Sequence, residues 1–478
     1  MNVRDEPFAD EVALVVIGGG ITGCAVARDA AARGLSVVLL EQRDLAAGTS
    51  SRSTKLLHGG LRYLEHGHLR LVQEALHERE LTARLAPALA RPLKFVMPVR
   101  PGTFPGRFAA RVGVGLYDLL SGRTSMERGR SIDADELRRV APALSPGFSS
   151  GVSFMDRQTD DARLTVAIAR DAKHRGASIR LGVTVTGIER SGRKLRVSCR
   201  DEEDRESSIV AGCVVNASGA WADGVRRLAG NVRPLLRTSR GAHLVLRGLD
   251  LQMALILPGA TPKHRVFAIP WRGVVLFGTT DVADADDPGR ELPELADLRV
   301  LFETARGLFP AARLTRRHVM SSFTGVRPLL AQPGDTLSSS REHRVIDEDG
   351  LVTIAGGKLT TWRTMAIAGV NAAVRHLGSG GPSPRALVLE GLPGGDLERP
   401  DLDHVLACEL ARHADDVIFR RLPIGHDPDE ARRQLPAIVS AMSSIAGWSA
   451  LRCRMETDRV TSRLERDAAR LDEALGAR

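Results

Sequence analysis

Apolar residues first cluster at 12–20, VALVVIGGG, a run that reads as a buried parallel strand entering a glycine turn. Residues 21–33 are alanine-rich with helical spacing, and 35–41, LSVVLLE, read as the next strand, so this stretch predicts a βαβ unit. A polar loop follows, AAGTSSRSTKLLHGG, then helical spacing from about Leu69 to Leu85. Residues 91–130 change character: Pro92, Pro98, Pro101 and Pro105 interrupt them, and eight basic residues stand against two acidic ones. A helix returns over 160–176, two strands follow near 177–200, and a buried strand at 212–217 leads into NASGAW. Residues 241–282 alternate apolar and polar with turns, as antiparallel sheet does. A helix near 295–309 interrupts that pattern. Strands resume to about 355, ending at a glycine pair and the helix after GGKLTT. Residues 376–400 are rich in Gly, Pro and Ser and read as a linker. Residues 401–478 read as helical, with Val460, Leu464, Leu471 and Leu475 on one face of the last helix.

A chain of 478 residues is too long for one compact core and predicts two or three domains. The formal net charge of +9 favours anionic partners: a phosphorylated substrate, an acidic membrane face or nucleic acid. Aromatics are only 4%, which argues against a surface that stacks bases, so no nucleic acid is expected. Cys24, Cys199, Cys213, Cys408 and Cys453 are scattered without a CxxC pair. Reduced thiols, no disulfide frame and no metal site are expected. The first residues, MNVRDEPFADE, are unlike a secretory signal, and no apolar run approaches the ~20 residues of a membrane span. A cytoplasmic protein is the expectation, with room for attachment to a membrane face.

Gly18, Gly20 and Gly23 form GxGxxG between the first strand and helix. Missing side chains let the turn tighten and let backbone N–H groups approach a pyrophosphate, while the helix N-terminus adds positive potential. Glu41 ends the second strand, where a carboxylate accepts hydrogen bonds from ribose hydroxyls. GxGxxG alone is a weak signal. Strand, helix, strand and terminal acid in register predict a bound dinucleotide. FAD is preferred over NAD because a Ser/Thr-rich loop follows, Gly48 to Lys55, in which Thr49, Ser50, Ser51 and Lys55 offer donors to pyrophosphate and a ribityl chain.

The run SSRSTKLLHGGLRYLE (Ser50 to Glu65) resembles the signature of the FAD-dependent glycerol-3-phosphate dehydrogenases of the respiratory, aerobic type. Further runs agree in order: DDARLT (160–165), NASGAWAD (216–223), RGAHLVL (240–246), IPWRGVVLFGTTD (269–281), FTGVRPLL (323–330) and GGKLTTWRTMA (356–366). The resemblance covers roughly 12–375. It implies oxidation of the C2 alcohol of glycerol 3-phosphate to dihydroxyacetone phosphate, with hydride passing to flavin N5 and electrons on to membrane quinone. Ser218 and Gly219 resemble the superfamily's second flavin motif, with Ser218 where Thr is usual. Gly357, Lys358, Leu359 and Thr360 open a helix whose N-terminus suits the charge of reduced flavin. His58 either packs on the isoalloxazine or is structural. By resemblance, Arg62, Tyr63, Arg327, Arg341, Lys358 and His243 line the substrate pocket. Guanidinium forks match phosphate oxygens, and His243 is the better base because imidazole takes protons near neutral pH.

The expected architecture is α/β: a discontinuous FAD-binding Rossmann-like domain (10–90, 150–235 and 350–376), a mainly antiparallel β substrate cap (91–149 and 236–349), and a small, shortened helical C-terminal domain (385–478). Residues 100–120 place Phe104 and Phe108 among arginines, which suits either the inner-leaflet membrane interface or an ordinary helix packed on the cap. A homodimer is also compatible with the sequence. Two readings compete with the dehydrogenase: a glycerol-3-phosphate oxidase using O₂, and an amine oxidase of the same flavoprotein superfamily.

Overall fold

The computed structural model describes residues 10–61, 64, 67–102, 106–122, 126–261, 264–283, 288–331, 342–383, 389, 400–422 and 424–476. Among them, two sheets share the chain. The first has eight strands, with a path running His343–Glu348, Leu351–Gly356, Glu206–Asn216, Glu11–Ile17, Val37–Glu41, Ser178–Leu181. The last five of these run parallel. Leu14, Val15 and Val16 are each fully buried, so the first strand is apolar on both faces, as a covered parallel sheet requires. Helices Ile21–Ala32, Asp161–His174 and Trp362–Leu377 share one core cluster with it.

The second sheet has ten strands and is antiparallel except where Ala254–Pro258 runs parallel to Arg91–Val99. Its 11-residue strand Leu236–Leu246 pairs along its length with Val319–Leu330, setting His243 opposite Phe323, Gly241 opposite Gly325, and Ser239 opposite Arg327.

Two strands lie on the other side of the domain boundaries read from sequence. Ser150–Gln158, expected in the FAD domain, pairs residue for residue with Arg91–Val99 in the cap sheet. His343–Glu348, expected in the cap, folds back on Leu351–Gly356 in the first sheet. The turn Asp349–Gly350, with φ of 55° and 94°, is the mirror-image type that matches hairpin twist. Apolar alternation reports that a strand is half-buried, not which sheet buries it.

The C-terminal helices Leu402–Cys408, Pro428–Ala446 and Ala450–Leu475 have their own apolar cluster, while Leu471 joins the cap core. They dock on the first domain through buried ions. Arg421 grips Asp44 with both nitrogens at 2.6 and 2.8 Å, Arg420 reaches it at 2.5 Å, and Arg163 is bidentate on Glu409. Breaking one such pair leaves an uncompensated charge, at about 3–5 kcal/mol.

His413 lies in this junction, between Glu202 of the first domain (3.2 Å) and Glu456 of the last helix (2.8 Å). Burial alone would depress its imidazole. The hydrogen bonds to Glu202 and Glu456 and the nearby acidic charges outweigh burial and push the pKa up to about 9 from 6.5. A folded-state pKa above the unfolded one gives stability that is full below pH 6.5 and lost as pH rises through 9. His413 thus contributes on the order of 2–3 kcal/mol at acidic pH. Thermal melts of the full chain should fall between pH 6.5 and 9 more steeply than those of His413→Gln; equal slopes would remove His413 as the cause.

Candidate active site

The parallel strands end together, and the loops after them (Gly18–Thr22, Glu41–Arg43, Ala217–Trp221 and Gly356–Thr360) line one side of a cavity of about 450 Å³. Ligands of open α/β sheets sit at this edge. Further lining comes from the Thr49–Thr54 loop and from His243 and Arg327 of the second sheet.

The glycine turn is tight for a steric reason. Gly18 has φ +111°, and a Cβ there would meet Ala217 O at 2.8 Å. A Cβ on Gly23 would lie 1.9 Å from Gly18 O. Gly20 is different: its Cβ would meet only Ser50 Oγ, at 3.2 Å, and Gly20 borders the cavity. Glu41 accepts from Gly19 N at 2.6 Å and Arg43 N at 2.8 Å, so it braces the turn it faces. Ser50 Oγ accepts from Ile21 N at 3.0 Å, and Thr49 Oγ1 donates to Val326 O at 2.5 Å, which ties the loop to both domains.

Elsewhere on the cavity wall, Thr360 Oγ1 accepts from His58 N and donates to His58 O, both at 3.1 Å. Lys358 Nζ donates to Gly59 O at 3.3 Å. Gly59 N donates to the buried Tyr117 hydroxyl at 2.8 Å, and that hydroxyl donates to Asp156 at 2.7 Å. Arg327 lies over Gly241, where a Cβ would come within 2.1 Å of its Nη2. Its guanidinium donates to Thr279 Oγ1 at 2.8 Å, Thr280 O at 3.2 Å and Ser239 Oγ at 3.3 Å, and pairs with Asp281 at 3.5 Å. His243 Nε2 is 3.1 Å from Thr54 Oγ1, and its ring stacks on Phe323 with centroids 4.8 Å apart. Burial, then the Arg327 and Lys55 charges and His426, press the His243 pKa down to about 3, so the imidazole is neutral.

The structure brings Gly18, Gly20, Glu41, Thr49, Ser50, His58, Ser218, Gly219, His243, Arg327, Gly357, Lys358, Leu359 and Thr360 to this one cavity. Gly23 sits behind the turn. Lys55, expected to donate to the cofactor, points away: it is buried in an ion pair with Asp161 and donates to Ser51 O at 2.8 Å. Ser51 also stays off the wall, its hydroxyl donating weakly to Gly48 O at 3.4 Å. Composition marks this loop as polar but not which side chains turn inward. Arg62, Tyr63 and Arg341 lie outside the described residues. Sequence reasoning missed Thr54, which holds His243, and Asp281, which holds Arg327, although both fall inside runs singled out for resemblance. It also missed Val183–Val185, an ordinary strand that forms the cavity wall near Glu41.

The lining fits an anionic dinucleotide. Among the described residues its charged members are Arg43, Arg52, Arg327 and Lys358 against the single carboxylate of Glu41. The helix Ile21–Ala32 opens on the cavity from Gly20, whose place at the N-cap leaves no cap side chain, while Ser50 Oγ from the facing loop takes the Ile21 N–H. This fold and site define a flavin-linked oxidoreductase. Residues 13–373 match the family described as FAD dependent oxidoreductase, and the chain belongs to that family, with FAD as its cofactor.

Among curated proteins, the chain is 41% identical over 373 residues to Glycerol-3-phosphate dehydrogenase 2 of Mycobacterium tuberculosis, covering 76% of this chain and 63% of that one. It is 35% identical over 444 residues to the mitochondrial glycerol-3-phosphate dehydrogenase of Mus musculus, covering 86% and 60%. The chain thus spans less than two thirds of the length of these relatives. Among solved structures, the glycerol-3-phosphate dehydrogenase from Bacillus halodurans complexed with FAD superposes with a TM-score of 0.78 at 25% identity, covering 96% of this chain and 95% of that one.

Proposed function

We propose that this chain oxidises sn-glycerol 3-phosphate to dihydroxyacetone phosphate and passes the electrons to a membrane quinone. The observation that carries this is that two cations, Arg327 and Lys358, line one cavity with a neutral His243, and that Arg327 is near enough to help depress the imidazole. The names of the relatives support the same substrate. FAD, when bound, supplies the hydride acceptor. Arg327 and Lys358 hold the phosphate and the C2 oxygen, with Arg341 and the Arg62–Tyr63 pair as further members by resemblance. His243 Nε2, beside Thr54 on the cavity wall, takes the C2 hydroxyl proton. Burial depresses His243 most, and Arg327 next; a phosphate dianion held by Arg327 offsets that second contribution, so substrate binding raises the basicity of its own base in part.

The deciding measurement is anaerobic bleaching of the flavin. sn-Glycerol 3-phosphate should bleach it, while glycerol at the same concentration should not. Bleaching by an amine or amino acid instead would transfer the site to the amine oxidases. Reoxidation by a quinone analogue faster than by O₂ is expected; the reverse order makes the chain an oxidase.

A surface helix supports work beside a bilayer. Arg107–Leu120 turns Phe108 (83% exposed), Val112 (56%) and Leu119 (75%) to solvent along one face, while Ala110, Val114 and Tyr117 pack inward. Phe104 lies outside the described residues. No described helix is long and apolar enough to cross a membrane. We read this face as an interfacial anchor on the inner leaflet. Each basic residue near an anionic surface adds about 1 kcal/mol, screened by salt, and each buried Phe or Leu about 1.5–3 kcal/mol that salt does not screen. Wild type should sediment with anionic liposomes and keep part of that binding at high salt, whereas Phe108→Ser/Leu119→Ser loses the salt-resistant part. Equal sedimentation of both places the anchor elsewhere.

A further inference from the structure

We infer that His426, supplied by the C-terminal domain, is a positioning residue for His243; this rests on reading His243 as the proton acceptor. The five-residue π-helical turn Val417–Arg421 is closed by Gly425 N donating to Ile418 O at 2.9 Å. Gly425 is pressed against Phe419, where a Cβ would meet its ring at 2.2 Å. Two residues on, Asp427 caps the helix Pro428–Ala446 by accepting from Asp429 N and Glu430 N. His426 therefore stands between two anchored elements.

Its ring meets Trp271 edge-on, with centroids 5.0 Å apart at 83°, and Phe323 at 5.4 Å and 55°. Phe323 in turn lies face to face with His243 at 4.8 Å and 11°. Phe323 is thus held between a C-terminal imidazole and the active-site imidazole. The backbone repeats this arrangement. Ser321 Oγ donates to His426 O at 2.9 Å, and Ser322 donates to Asp467 of the last helix from both N (2.8 Å) and Oγ (2.5 Å). Three hydrogen bonds from the C-terminal domain therefore grip the strand immediately before Phe323. Gly325 and Arg327 follow on the same face at the strand's period of two.

His243 is buried, with Gly278 close against one edge of its ring, but few hydrogen bonds orient it. Among the described residues its Nε2 has Thr54 and its Nδ1 has no hydrogen-bond partner. Its orientation rests on that hydrogen bond, on the close approach of Gly278 and on the Phe323 face. The aromatic pair contributes through geometry as well as area. If Phe323 tips into space vacated by His426, the proton acceptor moves relative to the C2 hydroxyl. A misplacement on the order of 1 Å costs up to about 100-fold in rate.

The test uses the full-length, FAD-loaded chain and the rate of anaerobic flavin reduction by sn-glycerol 3-phosphate. His426→Leu should lower the limiting rate roughly tenfold and leave the half-saturating substrate concentration within about twofold, because the phosphate contacts are untouched. His426→Phe keeps a ring and should restore the rate to within about twofold of wild type. In a His243→Asn background, adding His426→Leu should cost nothing further, since coupled residues are not additive. A wild-type rate in His426→Leu overturns the inference, as does a full tenfold loss in the His243→Asn background. If His426→Leu fails to hold FAD, His426→Phe decides: a near-wild-type rate supports the stack and a tenfold loss refutes it. A wild-type rate in His243→Asn alone instead overturns the reading of His243 as base.

Discussion

Replacing Arg327 with alanine is expected to remove turnover of sn-glycerol 3-phosphate while the protein stays yellow. The guanidinium is not a surface charge. Its site requires glycine at 241, and Thr279, Thr280, Ser239 and Asp281 fix its plane. Removing one partner of such a desolvated, charge-assisted contact costs about 2–5 kcal/mol, or roughly 30- to 5,000-fold in kcat/KM. None of the glycine-turn contacts involves Arg327, so FAD binding is retained. Lys358→Ala should behave alike, with the added loss of its hydrogen bond to Gly59 O. Steady-state kinetics with flavin absorbance measured on the same sample decide the matter. Near-wild-type kcat/KM in both variants would remove these cations from the substrate site.

The second large effect separates two glycines of one motif. Gly20→Val should give a folded chain without flavin. Its Cβ meets only Ser50 Oγ at 3.2 Å, so the added methyl groups enter the cavity where the pyrophosphate is expected. Gly23→Val should not give a stable fold at all. Its Cβ would overlap Gly18 O at 1.9 Å, and backbone cannot yield there without separating helix from strand. Circular dichroism and released-flavin absorbance on the two variants distinguish the outcomes. A yellow Gly20→Val protein would mean that the cofactor does not approach this turn. Acid precipitation of wild type should release all flavin to the supernatant, because no residue context for covalent attachment is present in the sequence.

The dinucleotide turn was legible because its chemistry is local: Gly18, Gly20, Gly23 and Glu41 lie within one βαβ unit, and their spacing carries the geometry. Arg327 and Lys358 were singled out through motif resemblance, and the structure places both on the cavity wall, the first lying over Gly241 of the neighbouring strand. Lys55 was misplaced because a lysine in a serine-rich loop reads as a donor to phosphate. Its partner Asp161 is distant in sequence, so no local pattern shows that the charge is already neutralised. The strand Ser150–Gln158 was assigned to the wrong sheet for a related reason, since pairing partners are long-range information. The contribution of His426 was invisible for the same cause. Its neighbours Trp271 and Phe323 belong to the second sheet, and nothing in the spacing of the C-terminal helices points toward a cavity built by the other domains.

The Lys55–Asp161 pair has a consequence for how the cofactor comes and goes. The loop that closes over the dinucleotide is fastened from behind by that buried pair, by Ser53 N on the same carboxylate, and by Thr49 on the second domain. A loop riveted on its far side cannot lift like a hinged cover. Cofactor exchange is then expected to wait on local opening of these contacts, so that Lys55→Ala, which removes the pair, should speed the release of flavin.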